Sequence, residues 1–262
     1  MTILEKIIRV KEQEIKEYSQ NQPEMACGNK KRASLVEKLR TSTNLQVIAE
    51  IKRASPSKGV ISEDVDVRQI AGQYERGGAA AISVLTDQTF FKGCFEDLSL
   101  VANTVDIPVL CKDFIIHTVQ IDIAKQAGAS VILLIVAALS ETKLTELYQY
   151  ACKQDLEVLV EVHTVEELQI ACQLDAPLIG VNNRNLKSFE VSLSTIEDIA
   201  KRFPFHEGRV LISESGVHGK QDAVRAASAG ASGVLVGEYL MKSDNKQFIL
   251  SELQVPKGVG IR

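Results

Sequence analysis

The chain has 262 residues, 45% of them hydrophobic and 24% charged, with a formal net charge of −4. That is enough apolar material for a sizeable core, and it carries none of the basic excess that nucleic-acid binding requires. The five cysteines (Cys27, Cys94, Cys111, Cys152 and Cys172) are scattered, and the four histidines (His117, His163, His206 and His218) form no ligand-spaced cluster with them; this argues against a disulfide framework or a zinc site and for a reducing cytoplasm.

The segment Met1–Tyr18 is charged throughout and lacks the apolar centre of a signal peptide. Ile3, Leu4, Ile7, Ile8 and Leu35 can supply one apolar face, so residues 1–45 are expected to form a helical extension packed on the rest of the chain. Eight short runs rich in β-branched residues follow: Val47–Lys52, Ala80–Leu85, Ile107–Lys112, Ser130–Val136, Glu157–Val162, Pro177–Asn182, Arg209–Ser213 and Ser232–Val236. Amphipathic or charged segments lie between them, among them Thr118–Ala127, Glu141–Gln154, Thr164–Gln173 and Gly219–Ala229. Gly-Ala recurs just before a strand, at Gly78-Ala79, Gly128-Ala129 and Gly230-Ala231, which suits a left-handed helix end followed by close packing on a sheet.

Runs that are apolar nearly throughout fit a parallel sheet covered on both faces, and eight βα repeats predict an α/β fold, a (β/α)8 TIM barrel. An open doubly wound sheet is the alternative, but no GxGxxG turn follows the first strand. The whole chain, 1–262, is read as one barrel domain, with the extension at 1–45 and the barrel core at 46–245; the tail Val255–Arg262 has no assigned role. The longest apolar run, Val131–Leu139, is too short to cross a bilayer, so no membrane partner is expected and the chain is read as cytoplasmic.

In a barrel, chemistry gathers at the C-terminal ends of the strands. Six of the eight predicted strands end in polar groups there: Glu50 and Lys52, Lys112-Asp113-Phe114, Glu161, Asn182-Asn183-Arg184, Ser213-Glu214-Ser215-Gly216 and Gly237-Glu238. Glu50 and Lys52 are two apart and share a strand face, and the Ser-Pro-Ser-Lys-Gly loop holding Ser55 follows. Glu161 alternates with Val160 and Val162; if the valines face the helices, the carboxylate faces the barrel axis. Small residues at Ser215-Gly216 and Gly237-Glu238 expose backbone N–H groups where this fold binds phosphate. Phe91 and Phe114 fall in loops at the same mouth and could wall a flat ring. Each feature also has a plain reading: a structural ion pair for Glu50 and Lys52, a solvated Lys112, a turn cap for Asn182, a structural His163. The residues alone leave open a Schiff-base lysine or a catalytically silent phosphate binder.

Seven segments, IAEIKRASPSKG, SVLTDQTFFKG, IPVLCKDFIIH, LVEVHT, IGVNNRNL, LISESGV and GVLVGEYLM, in this order and spacing, resemble the indole-3-glycerol phosphate synthase family over nearly the whole chain. The resemblance implies a carboxy-lyase of tryptophan biosynthesis acting on a small phosphorylated substrate, with no cofactor and no metal. No long exposed apolar surface stands out in the sequence, so a monomer is expected, and the net charge predicts no nucleic-acid partner. It implies a catalytic set of Lys112, Lys52, Glu161, Glu50, Asn182 and Ser215. Phe91, Phe114, Leu133, Arg184 and Leu186 would line the substrate pocket, and Ser55, Gly216, Gly237 and Glu238 would hold phosphate. Two departures stand out: Gly237-Glu238 replaces a Gly-Ser common among relatives, and the N-terminal helix has no tryptophan. Glu238 is expected to turn its carboxylate away and offer only its N–H.

Overall fold

The computed structural model describes residues 1–20, 30–62 and 65–258, so Cys27 and the last residues of the tail lie outside the described part. The strands are β1 (Gln46–Ile51), β2 (Ala54–Ser55), β3 (Gly59–Val60), β4 (Ala81–Leu85), β5 (Val109–Lys112), β6 (Val131–Ile135), β7 (Glu157–Val162), β8 (Leu178–Asn182), β9 (Val210–Glu214) and β10 (Gly233–Val236). Eight of them close on themselves in the order β1-β10-β9-β8-β7-β6-β5-β4, every neighbour parallel. β1 pairs with both β10 and β4, which closes the ring and removes the open-sheet alternative. β2 and β3 form a small antiparallel hairpin, so the loop after β1 is more ordered than its composition suggests.

Closure follows from alternation. Val47, Ala49 and Ile51 of β1, Val158, Val160 and Val162 of β7, and Ile132 and Leu134 of β6 belong to the buried layer between barrel and helices. Residues of opposite parity, including Ile48, Leu110, Leu133, Leu159, Leu178 and Ile212, fill the barrel interior. The outer ring includes Val67–Arg76, Phe95–Thr104, Thr118–Gln126, Glu141–Lys153, Val165–Gln173, Ser194–Ala200, Lys220–Ser228 and Lys246–Leu253, one following each barrel strand. The recurring Gly-Ala pairs do end helices in the left-handed region: φ is +82° at Gly78, +91° at Gly128 and +94° at Gly230.

The N-terminal extension covers both ends of the barrel. Helix Leu35–Thr41 closes the bottom, where Leu35 and Leu39 are fully buried with the interior side chains. Glu157, at the start of β7, receives the N–H groups of Leu35 (2.7 Å) and Val36 (3.2 Å), anchoring the helix by its positive end. Helix Ile3–Gln20 instead reaches the opposite mouth, at the C-terminal ends of the strands, where Ile3, Leu4 and Ile7 face a cleft.

Candidate active site

The barrel interior is apolar at the bottom and ionic at the top. The inward-facing positions that end β1, β5, β7, β8 and β9 are taken by Glu50, Lys112, Glu161, Asn182 and Glu214. Glu50, Glu161 and Glu214 are each no more than 4% exposed. Charges at that depth persist only when paired.

Lys112 supplies the pairing on one side. Its Nζ lies 3.1 Å from Glu161 Oε2 and 3.3 Å from Glu214 Oε2. Glu161 Oε1 accepts a hydrogen bond from Asn182 Nδ2 at 3.1 Å, and Asn182 Oδ1 in turn accepts from Ser215 Oγ at 3.0 Å and from the Arg184 N–H at 3.1 Å. Asn182 thus joins the acid–base pair to Ser215, whose own backbone sits in the left-handed region at φ +64°. Burial works against the Lys112 cation, but Glu161, Glu214 and Glu50 overcome it and raise its pKa. Burial likewise opposes the Glu161 anion, and the Lys112 ammonium with His163 and Asn182 reverses this, holding the carboxyl below its usual range. Glu214 goes the other way. Burial is its main influence, the negative charge of Glu161 adds to it, and the Lys112 attraction only partly offsets both, leaving Glu214 pushed up to about 7. Two carboxylates on one ammonium cannot both be fully satisfied.

Two strands round the ring from Lys112, Lys52 Nζ and Glu50 Oε1 pair at 2.7 Å. Two glycines make room for these carboxylates: a Cβ on Gly180 would overlap Glu214 Oε1, and one on Gly237 would overlap Glu50 Oε1. Gly237 and Glu238 open the short helix Glu238–Lys242, which no side chain caps, so its first N–H groups remain available to an anion. Gly216 and Ser55 line the same corner, with Ser55 Oγ 3.4 Å from Ser57 Oγ. The Glu238 carboxylate is bonded to Lys242 Nζ at 2.7 Å and lies 3.9 Å from Lys58 Nζ. Lys242 is the chief reason its pKa is lowered, and the two cations offset the anion beside the corner.

The walls are apolar. The Phe91 and Phe114 rings stand 6.0 Å apart. Phe91 ends a short helix, Gln88–Phe91, rather than sitting in an irregular loop, because Asp87 Oδ1 caps the N–H groups of Phe90 and Phe91. Leu133 rises from β6, and Leu186 comes from the loop after β8. Arg184 donates to the Phe189 carbonyl at 3.1 Å, which folds that loop back on itself. Every site residue named from the sequence lines this one pocket, together with the helix residues Ile3, Leu4 and Ile7.

Two contributors carry no role in the sequence reading. Glu214 is one: it falls among the polar residues ending the seventh strand but is given no task there, whereas β9 includes it and aims it inward. The other is Lys11 of helix Ile3–Gln20. Its ammonium is buried against Asp113 (2.8 Å), Asp87 (2.9 Å) and Glu14 (2.9 Å), fastening the helix beside Lys112, Phe91 and Phe114. A basic residue in a charged helix gives no local sign of such burial. No group of three or more His, Cys, Asp or Glu among the described residues is arranged to hold a metal ion. No helix there is long and apolar enough to cross a membrane.

Comparison with known proteins follows the same pattern. The indole-3-glycerol phosphate synthase family matches residues 4–253. An indole-3-glycerol phosphate synthase of Oceanobacillus iheyensis is 49% identical over 256 residues, covering 98% of each chain. One of Bacillus cereus is 51% identical over 255 residues, covering 97% of this chain and 98% of its own. Among solved structures, the tryptophan synthase alpha subunit of Legionella pneumophila aligns with a TM-score of 0.61 at 16% identity, over 84% of this chain and 95% of its own. Thiamine phosphate pyrophosphorylase of Pyrococcus furiosus aligns at 0.59 and 18%, over 82% and 95%. At such identities these two structures speak to the barrel fold alone.

Proposed function

The chain belongs to the indole-3-glycerol phosphate synthase family, and from that premise we propose how its own residues divide the work. The reaction is a carboxy-lyase step of tryptophan biosynthesis. It closes the ring of 1-(2-carboxyphenylamino)-1-deoxyribulose 5-phosphate, releases carbon dioxide and then water.

The observation that carries the assignment is Lys112 held between Glu161 and Glu214 at the floor of the cleft. When the aryl carbon bonds to the ketone carbon, the carbonyl electrons move onto oxygen. The resulting alkoxide is a far stronger base than an amine, so transfer from Lys112 is downhill even with its pKa raised. Positive charge then spreads over the ring and the anilino nitrogen, and Glu161, kept ionised, stabilises it. Loss of carbon dioxide returns the carbon–carbon electrons to the ring. In the last step the hydroxyl leaves as water after protonation, and the neighbouring methylene gives up a proton. Lys52, oriented by Glu50, first pairs with the substrate carboxylate and later serves this dehydration. Asn182 and Ser215 hold the reacting oxygen and hydroxyls.

Phosphate sits at Ser55, Gly216, Gly237 and Glu238, using backbone N–H groups at the last of these. The anthranilate ring lies against Phe91, Phe114, Leu133 and Leu186, with Arg184 behind the loop. Ile3, Leu4 and Ile7 close the side where no tryptophan is present. All these residues come from one chain, so a monomer in the cytoplasm, using no cofactor, suffices. A Schiff-base mechanism is disfavoured, since an ammonium facing two carboxylates is a poor nucleophile.

The test is Lys112→Met and Glu161→Gln, with turnover followed by indole fluorescence and binding of the substrate followed by calorimetry. Both variants are expected to bind and to lose turnover by at least about a hundredfold, the usual worth of a general acid or charge stabiliser. Normal turnover by either removes its assigned role.

A further inference from the structure

Glu161 is met from behind by a side chain that the scheme above does not use. His163 follows the end of β7, and its ring stands between two carboxylates: Nδ1 is 3.1 Å from Glu167 Oε2 and Nε2 is 3.3 Å from Glu161 Oε1. Nε2 is buried and has no aligned hydrogen-bond acceptor, so its approach to Glu161 is a charge contact rather than a directed bond.

Glu167 is itself fixed. Its backbone N–H donates to Thr164 Oγ1 at 3.2 Å at the start of helix Val165–Gln173, and its Oε2 also accepts the His163 backbone N–H at 2.7 Å. This is a reciprocal helix-start arrangement, and it leaves the ring little freedom. With Nδ1–H committed to Glu167, a neutral ring would aim the Nε2 lone pair at the Glu161 carboxylate. Protonation of both nitrogens removes that repulsion.

We infer that His163 is a positioning residue for the reaction: an imidazolium, anchored by Glu167, that fixes the Glu161 carboxylate toward Lys112 and the substrate. This rests on Glu161 being the charge-stabilising group proposed above. Burial works against the His163 cation, and the contacts with Glu161 and Glu167 outweigh it, pushing the imidazole up to about 10. The groups around the pair are Lys112 from β5, Glu214 from β9 and Asn182 from β8 on the Glu161 side, with Glu167 from the helix on the other. Removing His163 leaves Glu161 Oε1 with Asn182 alone and takes away one of two cations beside the carboxylate. Glu161 then holds a proton to higher pH, and the acid limb of kcat moves upward.

His163→Gln, Glu167→Gln and Glu161→Gln in the full chain provide the experiment, with kcat and KM measured across pH and melting temperature recorded for each. His163→Gln is expected to lose about tenfold or more in kcat, as residues behind a reacting group do, with KM within about threefold and the acid limb at higher pH. Glu167→Gln should shift the limb the same way by less, and decides the matter if His163→Gln does not fold. An unchanged kcat and limb in His163→Gln overturns the inference while Glu161→Gln remains inactive. So does a lowered melting temperature in both variants with the limb unmoved. Normal turnover by Glu161→Gln would instead overturn the role of Glu161 itself.

Discussion

Lys11→Met removes the one ammonium that reconciles two carboxylates at the mouth. The Asp87 and Asp113 side chains are 0% and 2% exposed, and Lys11 reaches them at 2.9 and 2.8 Å. Neither aspartate can turn to solvent. Asp113 also accepts from Thr86 Oγ1 at 2.6 Å and the Phe114 N–H at 2.7 Å, and Asp87 caps Phe90 and Phe91. Stripping the partner from such a buried pair costs about 3–5 kcal/mol. At about 2–4 °C per kcal/mol for a chain of this size, the melting temperature should fall by about 6–20 °C.

The loss should depend on pH, and its sign is fixed. In the parent, burial opposes the Lys11 cation and Asp113 and Asp87 raise its pKa above the ordinary lysine value. Its stabilisation is therefore complete below about pH 10 and flat through the neutral range. In the variant, Glu14 loses the Lys11 hydrogen bond and charge. Burial, already its main influence, and the charges of Asp113 and Asp87 go on raising its pKa above the unfolded value, so stability falls as pH rises through and above the carboxylate range. Urea unfolding followed by far-ultraviolet circular dichroism at about pH 5 and pH 8 reads this, with the smaller loss expected at the lower pH. A loss under about 1 kcal/mol, or an equal loss at both values, would refute the reasoning. The roof residues Ile3, Leu4 and Ile7 move with the same helix, so KM should rise as well.

Glu214 and Gly237 give two further expectations. The folded pKa of Glu214, pushed up to about 7, exceeds its unfolded value, so this group detracts from stability as pH rises from the carboxylate range through about 7. Glu214→Gln should therefore be more stable than the parent at pH 8 and lose that advantage toward pH 4; a constant difference in urea midpoint would contradict it. Gly237→Ala places a Cβ against Glu50 Oε1, with Glu50 Cδ and Cβ at 3.2 and 3.3 Å, so the Lys52 pairing must shift. A displacement of that order should lower kcat/KM by about tenfold to a hundredfold with the barrel still folded, and unimpaired kinetics would count against the Glu50–Lys52 assignment.

The barrel is legible because its strands are short, apolar and flanked by helical segments, and alternation turns Glu161 to the axis once Val160 and Val162 face the helices, as they do. What stayed illegible is what depends on contacts between distant segments. Glu214 stands at the polar end of its strand in the sequence, but its task depends on Lys112 and Glu161, which other strands bring to it. Amphipathicity indicated an apolar face on Ile3–Gln20 but not that this helix covers the mouth while Leu35–Thr41 closes the bottom. Lys11 looks ordinary in the chain, and His163, two residues after Glu161, reads equally as an acid or base or as a structural ring. Their significance comes from Asp87, Asp113 and Glu161, which only the closed barrel brings to them.

In the proposed division of labour two lysines of one mouth, two strands apart in the ring, serve different steps, Lys112 ring closure and Lys52 dehydration. Carbon dioxide leaves between those steps, so single-turnover measurement of carbon dioxide beside indole fluorescence separates them. At saturating substrate, Lys52→Met should release carbon dioxide ahead of indole, and Lys112→Met should release neither. Carbon dioxide and indole appearing together in Lys52→Met, or a carbon dioxide burst in Lys112→Met, would contradict this division.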